Sequence, residues 1–367
     1  MRIAFRADAS IQIGTGHVMR CLTLAEALRS QGHECTFICR DHPGNLGALI
    51  AERGFQLSLL SQADLAEWSI ESESDTALAH ADWLGVPWQQ DAEQTLEALN
   101  GPIIDWLVVD HYALDARWER RVSKRVGEVM VIDDIADRPH ECKLLLDQNL
   151  GREAQDYDGL LPEACIRLVG PRYALLRPEF AELRERSLER RRTPELKRIL
   201  ITLGGVDQDN VTGQVLDVLS KSQLSPETEL DVVMGASAPA LDEVRQQAQV
   251  LPFRVSVSVG VTDMAERMCL ADFCIGATGS TTWERCCLGV PTMTMVLAEN
   301  QKHAAEAIAR HGAAVVIQNQ SDLEAALQKL LTNEQFAENL SAMSNAGASL
   351  VDGLGCLRVI NHLKTEQ

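Results

Sequence analysis

Residues 2–40 read RIAFRADASIQIGTGHVMRCLTLAEALRSQGHECTFICR. RIAFRA has the apolar content of a short strand. A loop carrying Gly14 and Gly16 follows it. Val18, Cys21, Leu22, Ala25 and Leu28 then fall on one face at helical spacing. Gly32 stands where a glycine closes a helix, and ECTFICR is apolar again. Strand, glycine loop, helix and strand in that order predict parallel strands joined by a crossover helix.

The alternation continues outward. NLGALIAERG is helical, and FQLSLL, DWLVVDHY and VMVIDD have strand character. Near-continuous apolar runs of this kind suit parallel strands buried on both faces. Residues 66–100 break the rhythm: they are acidic and hold three of the six tryptophans, which predicts an excursion of one or two helices. RPEFAELRERSLERRRTPELKR (177–198) predicts a charged helix at a domain junction. RILITLGG then restarts strand-helix alternation, which runs through ELDVVMG, FRVSVSVG, DFCIGATG and PTMTMVL to AAVVI. Two such series predict an α/β chain with two doubly wound, Rossmann-like domains facing a central cleft. The expected boundaries are 1–175 for an N-terminal domain, 176–195 for a linker helix and 196–367 for a C-terminal domain. Ligands of such sheets bind beyond the carboxyl ends of the strands.

Composition narrows the function classes. The 367 residues are 46% apolar and 24% charged, as in globular proteins. Lys and Arg number 34 against 53 Asp and Glu, a net charge of −19. Such a chain is not expected to bind a nucleic-acid backbone. It can bind a small anion where glycine loops and helix N-termini face the site. No apolar run approaches the ~20 residues of a membrane helix, and the run after Arg2 is too short for a secretory signal. No membrane partner and a cytoplasmic location are therefore expected. The ten cysteines form no C-x-x-C pair and no Cys/His cluster with zinc spacing. They are expected to be reduced, mostly buried thiols.

Three glycine loops carry the candidate chemistry. In IGTGHVMRC (13–21), Gly14 and Gly16 let a ligand approach the main chain, and His17 opens the helix that follows. The partial positive charge of a helix N-terminus disfavours an imidazolium there. A neutral ring can accept a proton from water. His17 is therefore the candidate base, against the plainer reading of a ring that caps or packs the helix. The loop lacks the third glycine and the following acidic residue of a dinucleotide fingerprint, so no nicotinamide cofactor is expected. No G-K-[ST] follows, so it is not a P-loop either. LGGVDQDN (203–210) sets Gly204 and Gly205 between a strand and a helix, and GATGSTTWE (276–284) does the same with Gly279, Ser280, Thr281 and Thr282. Main-chain amides and hydroxyls there suit a diphosphate. Glu284 is placed to accept from a ribose diol, or it is simply a first-turn carboxylate favoured by the helix dipole.

The stretch DFCIGATG, TTWERCCLGVP and ENQKHAAEAIARHGAAVVI resembles the C-terminal domain of nucleotide-sugar enzymes with the glycosyltransferase-B fold. That resemblance implies UDP on the glycine-rich turn and its ribose on Glu284. RADASIQIGTGHVMRCLTLAEAL, DWLVVDHYALDARWE, VIDDIADRPHECKLLLDQN, GPRYALLRPEF and TWERCCLGVPTMTMVLAENQ together resemble the UDP-2,4-diacetamido-2,4,6-trideoxy-β-L-altropyranose hydrolase family, from residue 1 to about 320. This resemblance implies inverting attack of water on the anomeric carbon of a UDP-sugar. It implies release of UDP and 2,4-diacetamido-2,4,6-trideoxy-L-altrose, a step toward pseudaminic acid on flagellins and surface glycans. It also implies that no metal is required, and it places the catalytic histidine at His17.

Other polar residues at strand ends are expected to serve the sugar. Asp8 and Ser10 share the first loop with Gly14 and Gly16. Asp110, His111 and Tyr112 end DWLVVDHY, and Asn300 and Gln301 follow a strand of the nucleotide domain. Asp133 and Asp134 are read as structural or sugar-binding rather than metal-binding. Competing readings are a glycosyltransferase that needs an acceptor and a UDP-sugar sensor without turnover. Acceptor-free release of UDP marks the hydrolase, strict acceptor dependence the transferase, and bound but unchanged substrate after long incubation the sensor.

Overall fold

The computed structural model describes residues 1–62, 78–236, 238–297 and 301–365. The chain divides into two units, Met1–Leu175 with Cys356–Gln367, and Leu176–Gly355.

In the first unit, seven strands form one parallel sheet: β1 (Arg2–Ala7), β2 (Glu34–Arg40), β3 (Gln56–Leu60), β4 (Ile104–Asp110), β5 (Val126–Ile132), β6 (Leu144–Asp147) and β7 (Ile166–Val169). Their order across the sheet is β3-β2-β1-β4-β5-β6-β7. Ile3, Ala4 and Phe5 of β1 and Leu107 and Val108 of β4 are buried, because helices cover both faces of a doubly wound sheet. The crossover helices are α1 (Gly16–Ser30), α2 (Gly47–Glu52), α3 (Trp88–Ala98) and α4 (Ala116–Val122). The five strands expected in this half are present. β6 and β7 are four residues each, too short to show a pattern of their own. The expected excursion supplies α3 and a 3₁₀ turn at Ala81–Leu84; its residues 66–77 lie outside the described residues.

The second unit holds a six-stranded parallel sheet of β8 (Arg198–Thr202), β9 (Glu229–Met234), β10 (Arg254–Val259), β11 (Phe273–Ala277), β12 (Thr292–Met295) and β13 (Val315–Ile317), ordered β10-β9-β8-β11-β12-β13. Its helices are α5 (Pro178–Arg190), α6 (Val211–Ser220), α7 (Leu241–Val250), α8 (Met264–Leu270), α9 (Thr281–Cys287), α10 (Lys302–Arg310), α11 (Gln320–Thr332) and α12 (Phe336–Leu350).

Two expected boundaries are corrected. The charged helix expected as a linker is α5, and it is built into the second unit. Ser187 donates to the Leu288 carbonyl at 2.7 Å, and Arg184 donates to the carbonyls of Cys287, Ala348 and Val351. The C-terminal domain does not run to residue 367. Helix α13 (Gly355–Thr365) buries Val359, Ile360 and Leu363 in the first unit's core with Ile3 and Trp106. The Trp106 indole donates to the Leu363 carbonyl at 3.1 Å. An amphipathic helix goes where its apolar face finds a core, whatever its place in the chain. All ten cysteines are free and buried. Among the described residues no helix is long and apolar enough to cross a membrane.

Candidate active site

In a doubly wound sheet the crevice forms where strand order reverses, outside the carboxyl ends of the two strands that flank the reversal. In the first sheet those strands are β1 and β4, paired so that Ala7 meets Asp110. The loop after β1 runs from Asp8 to α1, and Asp110, His111 and Tyr112 leave the end of β4. In the second sheet the strands are β8 and β11. Gly204 and Gly205 follow the first, and Gly279 and Ser280 follow the second. The switch points therefore select the same loops that the glycines mark.

His17 lies in the first turn of α1, beneath an exposed Thr15 and Gly16. The loop reaches it through a tight turn in which Gly14 N–H donates to the Ser10 carbonyl at 2.8 Å. Gly14 has φ near +80°, a conformation that side chains with a Cβ resist. His17 Nδ1 is 2.6 Å from Asp110 Oδ1, and its side chain keeps 9% exposure. Its Nε2 has no hydrogen-bond partner among the described residues. Asp110 is fully buried and ionised. Burial alone would raise its carboxyl, but Arg20, then His17, override that and hold it well below the usual carboxylate range. Arg20 grips both oxygens, Nε to Oδ2 at 2.6 Å and Nη2 to Oδ1 at 2.7 Å. Its Nη1 reaches Asp134 Oδ2 at 2.6 Å. Ionised Asp110 accepts only, so Nδ1 carries a proton, and in the neutral ring the lone pair is on Nε2. That is the arrangement of a base oriented by a carboxylate.

Tyr112 lines the ring. It meets His17 edge-on at 4.6 Å between centroids and donates its hydroxyl to Asp134 at 2.8 Å. Trp83 and His80, from the 3₁₀ turn, lie 5.8 and 5.4 Å from Tyr112. Asn149 adds a bond to the other oxygen of Asp134 at 3.0 Å.

Several expected substrate contacts have other work. Asp110 has no exposed surface, and its carboxylate is taken up by His17 and Arg20. Asp8 is equally buried. It accepts two bonds from Arg6 at 2.6 and 2.9 Å and one from the Arg40 amide at 2.6 Å. His111 turns inward. Its Nδ1 accepts from the Ala113 amide at 3.0 Å, and its Nε2 faces Asp8 at 3.2 Å. Burial lowers its pKa and keeps it neutral. The Ser10 hydroxyl accepts from the amides of Gln12 and Ile13, which shapes the loop. Asp133 and Asp134 divide. The first pairs with Arg138 at 2.8 Å, the second with Arg20 and Tyr112.

In the second unit Gly204, Gly205, Gly279 and Ser280 are exposed at the crest of their loops. A Cβ on Gly235 would sit 1.7 Å from the Gly205 carbonyl, so only glycine lets the first loop lie against the end of β9. Thr282 does not face outward as expected. It is buried, and its hydroxyl accepts from the Gly279 amide at 3.2 Å and from Arg285 at 3.0 Å, so it braces the turn. The Thr281 hydroxyl likewise accepts from Arg285 at 3.2 Å. Glu284 is pushed up to about 7 by burial, against the opposing pull of Arg177 and Arg285; its carboxylate lies 3.8 Å from Arg177. Gln301 accepts from the Leu297 amide at 3.0 Å at the start of α10. Asn300 lies outside the described residues.

Sequence reasoning missed Arg20, His80 and Trp83. The i, i+3 spacing of His17 and Arg20 puts both on one helix face and was a usable signal for Arg20. Nothing local marks His80 or Trp83, which arrive through a chain excursion.

Residues 198–353 match the glycosyltransferase family 28 C-terminal domain. The chain is 24% identical over 312 residues to the UDP-2,4-diacetamido-2,4,6-trideoxy-β-L-altropyranose hydrolase of Campylobacter jejuni, covering 85% of this chain and 97% of that protein. It is 23% identical over 384 residues to the spore coat polysaccharide biosynthesis protein SpsG of Bacillus subtilis, covering 98% and 96% of the two chains. Among solved structures, MurG of Acinetobacter baumannii is similar with a TM-score of 0.66 at 14% identity, over 99% of both chains. The S. aureus MnaA-UDP co-structure is similar with a TM-score of 0.61 at 14% identity, over 99% of this chain and 96% of that one. These likenesses show the fold, a glycosyltransferase-B arrangement of two parallel-sheet α/β units.

Proposed function

We propose that this chain, with its glycosyltransferase-B fold and family 28 C-terminal domain, is a nucleotide-sugar hydrolase. Its substrate is UDP-2,4-diacetamido-2,4,6-trideoxy-β-L-altropyranose, and its products are UDP and the free sugar. The observation that carries the reading is the His17–Asp110 pair at the switch point of the first sheet, with Nε2 unpartnered among the described residues. Similarity over nearly the whole length of the Campylobacter jejuni hydrolase supports this choice of substrate.

In this mechanism Nε2 of His17 takes a proton from water. The water oxygen attacks the anomeric carbon, the bond from that carbon to the UDP oxygen breaks with inversion, and UDP leaves with the electron pair. Nδ1 keeps its proton and donates it to ionised Asp110, which stabilises the imidazolium. Such positioned acid-base help is worth ~10²–10⁴-fold. The amides of the Gly204–Gly205 and Gly279–Ser280 loops meet the charge that grows on the diphosphate, and Glu284 accepts from the ribose.

The test is incubation of the UDP-sugar in ¹⁸O-water with no acceptor present. Release of UDP with label in the sugar is expected. His17→Asn is expected to lose ~10²-fold or more in kcat while still binding UDP. Label in UDP overturns the mechanism. Strict dependence on an acceptor overturns hydrolysis in favour of sugar transfer.

A further inference from the structure

We infer that Arg20 is a positioning residue of this site, one that fixes the ring nitrogen His17 presents and opposes the formation of its imidazolium. The inference rests on the reading of His17 as the base.

A buried carboxylate beside an imidazole has two effects that conflict in a base. It orients the ring, and it also favours the protonated ring, which has no lone pair to give. The structure separates the two through Arg20. Its Nε and Nη2 donate to opposite oxygens of Asp110 at 2.6 and 2.7 Å, so the carboxylate cannot rotate. Oδ1 then stays 2.6 Å from His17 Nδ1. The same Nη2 is 3.4 Å from Nδ1. A guanidinium at that distance offsets the field of Asp110 at the ring.

The other charged and titratable groups around the ring leave this balance in place. On α1, the Cys21 thiol donates to Asp110 Oδ2 at 3.7 Å, and burial keeps it protonated. From the end of β4, the Tyr112 hydroxyl is spent on Asp134, and burial likewise keeps it protonated. His111 turns its Nε2 to Asp8, whose charge is matched by Arg6. From the 3₁₀ turn, His80 is held neutral by burial first. From the segment after β5, Asp134 is bound to Arg20 itself, and Arg138, 5.9 Å above the Tyr112 ring, is matched by Asp133. Among the described residues Arg20 is therefore the cation in direct contact with the Asp110–His17 pair. Among the described residues no other side chain bonds to both Asp110 and Asp134.

The test compares wild type, Arg20→Gln and Arg20→Lys by two readouts. The first is ¹⁵N NMR of the imidazoles, with His17→Asn identifying the His17 signals. Wild type is expected to show a proton on Nδ1 and none on Nε2. In R20Q the ring is expected to hold its second proton to a higher pH than in wild type. R20K keeps the charge but not the fork, so it is expected to keep the titration and mix the two tautomers. The second readout is kcat/KM against pH. R20Q is expected to shift the acid limb upward by the same amount and to recover rate at alkaline pH, with KM nearly unchanged. A folded R20Q whose ring titrates as in wild type, and whose rate falls equally at every pH, overturns the inference. If R20Q does not fold, a single unchanged tautomer in R20K overturns it. Should wild type show no hydrolysis, the functional reading fails, and the NMR titration still decides the role of Arg20.

Discussion

Asp91 shows most sharply how a single buried charge organises the first unit. It lies on α3 with no exposed surface. Arg6 of β1 and Arg40 of β2 both donate to its Oδ2 at 2.6 Å, and the Trp118 indole donates to its Oδ1 at 2.9 Å. Arg6 also holds Asp8, so the loop that leads to His17 starts from this network. Replacing Asp91 by Ala would leave two buried guanidiniums short of an anion. Loss of one partner of a buried ion pair costs about 3–5 kcal/mol. Asp91→Ala is expected to lose that much in urea unfolding, and an unchanged midpoint would show the network to be dispensable. At this scale the sequence spoke unevenly. His17 was legible because glycines and a helix start surround it. Asp91, Arg40 and the pairing of Arg20 with Asp110 were not, because ion pairs spanning 85, 51 and 90 residues leave no local pattern. The role expected for Asp110 changed for the same reason: a strand-end carboxylate looks alike from sequence whether it faces ligand or an arginine.

Among elements, α13 departs furthest from the order of the chain. It follows the helices and strands of the second unit in the chain, yet it belongs to the first. Val359, Ile360 and Leu363 are fully buried, with Trp106 of β4 tied to the Leu363 carbonyl. Truncating such a side chain costs about 2–5 kcal/mol through lost transfer energy and the cavity left behind. Leu363→Ala is expected to destabilise by that amount and to move the near-ultraviolet signal of Trp106. Loss of stability without a change at Trp106 would mean the helix docks elsewhere. The helical spacing of these residues was visible in sequence, but spacing names a buried face and not the core that buries it. The five first-half strands were legible for the opposite reason: long apolar runs with glycine or polar ends announce buried parallel strands without reference to a partner.

For the molecule as a whole, the doubly wound plan of both halves was readable because strand-helix alternation is a chain-wide signal. Charge is another whole-molecule property, and its consequence is measurable. The chain carries a net −19 and is proposed to capture an anion. The cations beside the second unit's loops are engaged: Arg177 with Glu179 and Glu284, and Arg285 with the Ala277 carbonyl and the hydroxyls of Thr281 and Thr282. The loops themselves offer neutral amides, which act only at contact. Approach is then governed by the summed charge, and its reach depends on salt. The Debye length is ~30 Å at 0.01 M and ~8 Å at 0.15 M. At low ionic strength an incoming diphosphate feels most of the molecule; at physiological strength it feels its immediate surroundings. The association rate of UDP, followed by stopped flow, is therefore expected to rise about twofold or more between these conditions. A site that drew its ligand through an open basic patch would show the reverse. A rate that falls with salt would mean that Arg177 and Arg285 release their partners to meet the nucleotide, and the neutral-amide account of the loops would have to give way to one built on those two guanidiniums.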